Sequence, residues 1–127
     1  MELKVYYEDT DAGGVVYYAN YLRYFERART EYLQERGISL LDYHSQGILF
    51  PVVRLEIDYK SPARYGELLE IGTRMTHLSR ASFTLEHTIK SKSDQRVIVW
   101  GITRIACLNK SGRPVKLPAE LKSTIIS

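Results

Sequence analysis

The run Tyr6-Tyr7-Glu8-Asp9-Thr10-Asp11-Ala12-Gly13-Gly14-Val15-Val16-Tyr17-Tyr18-Ala19-Asn20-Tyr21 crowds acids, paired glycines and tyrosines into a span that neither a plain strand nor a plain helix needs. Gly13 and Gly14 open positive φ to the backbone and let another group approach closely. A helical pattern begins a few residues later, and a helix N-terminus offers unpaired N–H groups at the positive end of its dipole. An acidic loop leading into such a terminus sets a carboxylate beside electrophilic donors, which is the outline of an acyl-transfer site.

Outward from this loop, Leu3 to Tyr7 is short and β-prone and reads as a first strand. From about Tyr18 to Arg36, Tyr21, Phe25, Ala28 and Tyr32 recur at helical spacing, with Leu22 and Leu33 widening the stripe. The other face carries Arg23, Arg27, Glu31 and Glu35, with Arg27 and Glu31 spaced to pair, and Gly37 suits the position just past the end. Ser39 to His44 suggests a further helical turn. The period then becomes alternating: Val53, Leu55, Ile57 and Tyr59 predict a half-buried strand; Ser61 to Gly66 a loop; Leu69, Ile71, Thr73 and Met75 a second face; Phe83, Leu85, His87 and Ile89 a third. Ser91-Lys92-Ser93-Asp94 reads as a hairpin turn, Val97 to Leu108 as the most apolar and therefore central strand, and Leu117-Pro118 as the opening of a last helical turn. Strand, long helix, then antiparallel strands make an α+β domain with the helix on one sheet face, an order that several folds share.

A chain of 127 residues suits a single domain, residues 1–127, with one core. Its 44% hydrophobic and 26% charged content argues against disorder. No apolar run approaches a bilayer span and Met1 to Val5 lacks a signal-peptide core, so the expected location is cytoplasmic. A net charge of +3 is spread among interleaved acids, which argues against a nucleic-acid surface. Cys107, alone in a strand-like run, reads as a small buried side chain rather than a catalytic thiol.

The motif from Tyr7 to Tyr17, with Asn20-Tyr21 and Glu26-Arg27-Ala28-Arg29, resembles the signature of the 4-hydroxybenzoyl-CoA thioesterase family, nearest its YbgC-type branch associated with the Tol-Pal envelope system. The likeness continues through Asp58 to Glu67 and more loosely to Leu108, most of the chain. It implies a hotdog fold, a curled antiparallel sheet wrapped around one long central helix. It implies an acyl-CoA thioesterase that uses no cofactor and no metal, forms a homodimer or homotetramer with sites between protomers, and associates peripherally with the envelope. A hotdog module that binds acyl-CoA or a protein partner without turnover is the alternative.

On that resemblance Asp11 is the catalytic carboxylate, acting as nucleophile or as the base that activates water. Without it, Asp11 reads as a turn residue accepting backbone N–H bonds. Tyr18 supplies the backbone N–H aimed at the thioester carbonyl; relatives often carry histidine there, so a step needing an imidazole is unavailable to this chain. Gly13, Gly14, Val15 and Val16 form the substrate-facing loop. Asn20 holds that loop by side-chain hydrogen bonds or, more simply, caps the helix. Arg80, in Leu78-Ser79-Arg80-Ala81-Ser82-Phe83, matches a basic segment that meets coenzyme A phosphates, or is a solvated turn arginine. Glu8 and Asp9 read as loop carboxylates rather than metal ligands. His44, His77 and His87 lack metal spacing, and His87 alternates with apolar residues as a core histidine does.

Overall fold

A computed structural model describes residues 1–124. Strand β1 (Glu2–Lys4) leads through a 3-10 turn (Tyr7–Asp9) and the acidic loop to a second 3-10 turn (Tyr18–Asn20), which runs directly into helix α1 (Tyr21–Gln34). Helix α2 (Leu40–Ser45), strands β2 (Val52–Tyr59), β3 (Leu68–Leu78), β4 (Ser82–Ser91) and β5 (Val97–Ala106), and helix α3 (Ala119–Thr124) follow. The long helix is thus shorter than its apolar pattern predicts, because its first turn tightens to 3-10 geometry. Its end is sharp. Gly37, at φ 78°, donates to the Gln34 carbonyl, and Ile38 donates back to Leu33, a Schellman arrangement that brings Ile38 onto Leu33. Ser39 caps α2 by accepting from the Asp42 N–H at 3.2 Å.

The five strands form one antiparallel sheet in the order β1-β3-β4-β5-β2. Irregularities in register between Met75 and His77, Ile89 and Lys90, and Val52 and Arg54 let the strands bend around the helix. This is the hotdog arrangement. Tyr21, Tyr24, Phe25 and Ala28 on α1 pack with Ile71, Ile89, Ile98 and Val99 in one cluster. Tyr32 and Leu33 pack with Met75, Phe83, Leu85, Ile105 and Leu121 in a second. Phe25 lies so close to Gly101 that a Cβ there would come within 2.6 Å of its ring, so a glycine is what allows the helix to seat on β5.

Several expectations are corrected. β1 ends at Lys4, because Val5 is drawn into the core and the chain then turns. β4, not β5, is the middle strand, and β5 lies between β4 and β2. β2 is a strand but an almost wholly exposed one, with Val52, Val53, Leu55 and Tyr59 open to solvent and only Ile57 packed against the core. It is one edge of the sheet, and among the described residues no further strand pairs with it. Leu22 stays 40% exposed instead of widening the buried stripe. Arg27 and Glu31 are exposed and form no ion pair among the described residues. Cys107, by contrast, is fully buried as expected, and burial pushes its thiol pKa up.

Candidate active site

The acidic loop is a small, heavily bonded structure. Asp11 donates its N–H to the Val15 carbonyl at 2.9 Å and accepts from Gly14 N–H at 3.1 Å, closing a turn that Gly14 completes at φ 77°. The Asp11 side chain is exposed, and its Oδ1 accepts the Gly13 N–H at 2.8 Å. That bond fixes the carboxylate while leaving Oδ2 without a protein partner among the described residues. The turn bond read from sequence is therefore present, and it orients Asp11 without using up the carboxylate.

Asp9 has the opposite fate. It is 7% exposed, its Oδ2 accepts Tyr6 N–H at 2.9 Å, and its Oδ1 accepts Asn20 Nδ2–H at 3.0 Å. Both oxygens are committed to the protein, so Asp9 does not join Asp11 as a cation ligand. Asn20 makes no side-chain cap at the start of α1; its amide is drawn to Asp9 because a buried carboxylate is the stronger acceptor. The Tyr24 hydroxyl is buried beside them, and burial first, then the Asp9 charge, raise its pKa.

Beyond the loop, Val16 is buried and donates to the Ala63 carbonyl at 2.8 Å, and Tyr65 donates to Gly14 at 3.1 Å. The acidic loop is thus stitched to the 61–67 loop. That second loop is itself held by Arg96, which donates to Pro62 O at 3.0 Å, Ser61 Oγ at 3.1 Å and Glu67 Oε1 at 3.1 Å. Arg96 and Glu67 escaped the sequence reading; Gly66-Glu67 stood within the resembling stretch, but Arg96 lies far along the chain, just past the Ser91–Asp94 turn and before β5.

Tyr18 opens the 3-10 turn, and its amide N–H has no hydrogen-bond partner among the described residues. Its ring is 62% exposed and meets Tyr17 at 4.8 Å and Tyr59 at 6.4 Å between centroids, while Tyr59 donates its hydroxyl to the Tyr18 carbonyl at 3.1 Å. An open cleft of about 340 Å³ is lined here by Val16, Tyr18, Tyr21, Tyr59 and Pro62. Tyr21, by contrast, is a core residue whose hydroxyl accepts Ala63 N–H at 3.3 Å.

The structure bonds Asp11, Gly13, Gly14 and Val15 into one turn, ties Asn20 to Asp9 of the same loop, and sets Val16 and Tyr18 on one cleft. It does not bring Arg80 to them within one chain. Arg80 is exposed on the β3–β4 turn, whereas the acidic loop packs near the start of β3, and the 11 residues of that strand extend roughly 35 Å. His87 is fully buried, its Nδ1 3.0 Å from Thr73 Oγ1 and its ring stacked on Phe25 at 4.6 Å, a core histidine as its alternation suggests.

An exposed, oriented carboxylate on a glycine turn, followed in the chain by the unpartnered Tyr18 N–H and lying within a hotdog fold, suits a thioesterase-type domain. The model of the thioesterase-like superfamily matches residues 5–125. The chain is 41% identical over 126 residues to the acyl-CoA thioester hydrolase YbgC of Escherichia coli, spanning 98% of this chain and 90% of that protein. It is 38% identical over 125 residues to the acyl-CoA thioesterase YbgC of Haemophilus influenzae, spanning 95% and 89%. Among solved structures, a 1,4-dihydroxy-2-naphthoyl-CoA thioesterase from Synechocystis superposes with a TM-score of 0.94 at 26% identity, covering 100% of this chain and 94% of that one. The chain belongs to the thioesterase-like superfamily, in the branch that contains the YbgC proteins.

Proposed function

We propose that the chain hydrolyses acyl-CoA thioesters to a carboxylic acid and free coenzyme A, with Asp11 as the working carboxylate and the Tyr18 N–H as the donor to the carbonyl oxygen. The observation that carries this is the Asp11 side chain: held at one oxygen by Gly13 N–H at 2.8 Å, it presents the other without a protein partner. Asp11 acts either by attacking the carbonyl carbon, giving a mixed anhydride that water opens, or by taking a proton from the attacking water. Either way the C–S bond breaks, the sulfur leaves as a thiolate that is protonated to the coenzyme A thiol, and water supplies the new acid oxygen. Negative charge gathers on the carbonyl oxygen in the transition state, where an amide N–H at a helix terminus stabilises it.

The exposed β2 edge, with Val52, Val53, Leu55 and Tyr59 uncovered, supports a homo-oligomer in which β2 is paired across protomers. Such an assembly gives Arg80 a route to the coenzyme A phosphates of a neighbouring protomer's substrate. A cytoplasmic enzyme working beside the Tol-Pal envelope machinery, assembled as a tetramer, completes the proposal. The test is release of free thiol from short, long and aromatic acyl-CoAs. Turnover of at least one class supports hydrolysis, whereas acyl-CoA binding without thiol release from any of them supports a non-catalytic module.

A further inference from the structure

Among the described residues, the backbone of 11–16 finds partners outside the acidic loop only in the 61–67 loop. Val16 N–H donates to Ala63 O at 2.8 Å and Gly14 O accepts Tyr65 N–H at 3.1 Å, with Val15 and Arg64 as the isolated bridge between those bonds. The seat of Asp11 is therefore only as firm as the 61–67 loop against it. That loop lies between β2 and β3 and has no strand pairing beyond the one bridge. Its ends bond to Ile98 and Val5, but between them the Pro62 carbonyl is met by a single side chain, that of Arg96, at 3.0 Å.

One guanidinium spans the loop. Besides Pro62 O, it reaches Ser61 Oγ through Nε–H at 3.1 Å and Glu67 Oε1 through Nη2–H at 3.1 Å. Glu67 carries the bond onward, accepting Arg64 N–H at 2.8 Å and the Ser91 hydroxyl at 3.0 Å. Arg96 is itself held in place: its N–H donates to Asp94 Oδ1 at 2.9 Å, its Nη1–H to Asp94 Oδ2 at 3.1 Å, and its carbonyl accepts Ser91 N–H at 2.9 Å. Charge-assisted bonds are stronger than neutral ones, and the rigid planar fork of an arginine fixes several acceptors at once where a lysine, a point charge on a flexible stem, does not.

Resting on the thioesterase reading, we infer that Arg96, together with Glu67, is a positioning residue for the reaction: it fixes the 61–67 loop, which through Ala63 and Tyr65 seats the turn that aims Asp11. Arg96 does not line the cleft beside Tyr18 and acts only through the two loops. A shift of a reacting group by about 1 Å from a change far from the chemistry can cost about 10²-fold in rate, so a clamp at this remove is felt in kcat.

The test measures kcat and KM for thiol release from the best acyl-CoA, and amide exchange residue by residue. The proteins are the natural chain, Arg96→Met, Arg96→Lys, Glu67→Gln and the double variant of Arg96→Met with Glu67→Gln. Arg96→Met should lower kcat about tenfold or more with KM within about twofold, and Arg96→Lys should recover part of the loss. Glu67→Gln should act in the same direction, and the double variant should be no worse than Arg96→Met, because both changes open one clamp. Exchange at the Asp11, Val16 and Tyr65 amides should quicken in Arg96→Met while Leu85 and Ile89 in β4 keep their protection. An unchanged kcat, a loss carried by KM, additive effects of the two changes, or exchange that quickens equally in β4 overturns the assignment. If the natural chain releases no thiol from any acyl-CoA, the hydrolytic reading fails and exchange alone reads the clamp. Faster exchange confined to the acidic and 61–67 loops then sustains it, and unchanged exchange there removes it.

Discussion

Asp9 and Asp11 flank a single threonine, yet Asp9 closes the loop from inside and Asp11 faces out of it. What separates them is where the backbone donors lie: Asp9 takes a backbone N–H and an amide into the interior, whereas Asp11 takes one N–H in an exposed turn. His87 gives the residue scale a pH-dependent signature. Burial, with Arg29 adding and Glu86 opposing, pushes its pKa down to about 4, against about 6.5 for a free imidazole. Between those values the unfolded chain binds a proton that the folded chain does not, so stability is fully present above about pH 6.5 and is lost as the pH falls toward 4. The difference corresponds to about 3 kcal/mol. Urea denaturation at pH 7 and pH 4.5 should show this loss in the natural chain and a clearly smaller one in His87→Gln, the carboxylate contributions being common to both.

At the scale of elements, the contact between α1 and β5 depends on Gly101, over which Phe25 lies with no room for a methyl group. The Glu56 carbonyl would also stand 3.0 Å from an added Cβ, so the ring cannot simply move aside. Gly101→Ala should cost about 1–3 kcal/mol, seen as a lower urea midpoint with the slope of the transition retained. Elements such as α1, β3 and β4 were legible in the sequence because their burial lies within the chain: Tyr21, Phe25, Ala28 and Tyr32 mark one face by period, and so do Phe83, Leu85, His87 and Ile89. The acidic loop was legible as a unit, and so was the turn bond of Asp11. The resemblance gave Asn20 as holding the loop by side-chain hydrogen bonds, and its bond to Asp9 does so; the residues alone favoured a cap, since a cap is the local option and the winning partner reaches Asn20 only when the loop folds back. Arg96 was hidden, because it stands 34 residues past Pro62 and only the fold brings it to the 61–67 loop. The exposure of β2 was misread because alternation reports a face that will be covered without saying by what.

At the scale of the whole molecule, the proposed homo-oligomer rests on the exposed β2 edge and on the exposed tyrosines Tyr6, Tyr7, Tyr17, Tyr18, Tyr59 and Tyr65. Sedimentation should find a dimer or tetramer. Val53→Lys with Leu55→Lys, which places like charges along the edge, should shift the natural species toward monomer, and a monomeric natural chain at micromolar concentration would contradict edge pairing. The account as a whole depends on Asp11. Its most direct test is kcat for thiol release from the best acyl-CoA in the natural chain and in Asp11→Asn, with circular dichroism and the melting temperature showing both folded. Asn retains an oxygen to accept the Gly13 N–H but can neither attack nor take a proton, so kcat should fall by about 10²–10⁴-fold with little change in stability. A folded Asp11→Asn protein that keeps more than about a tenth of the natural kcat would contradict the account and return Asp11 to the role of a turn residue.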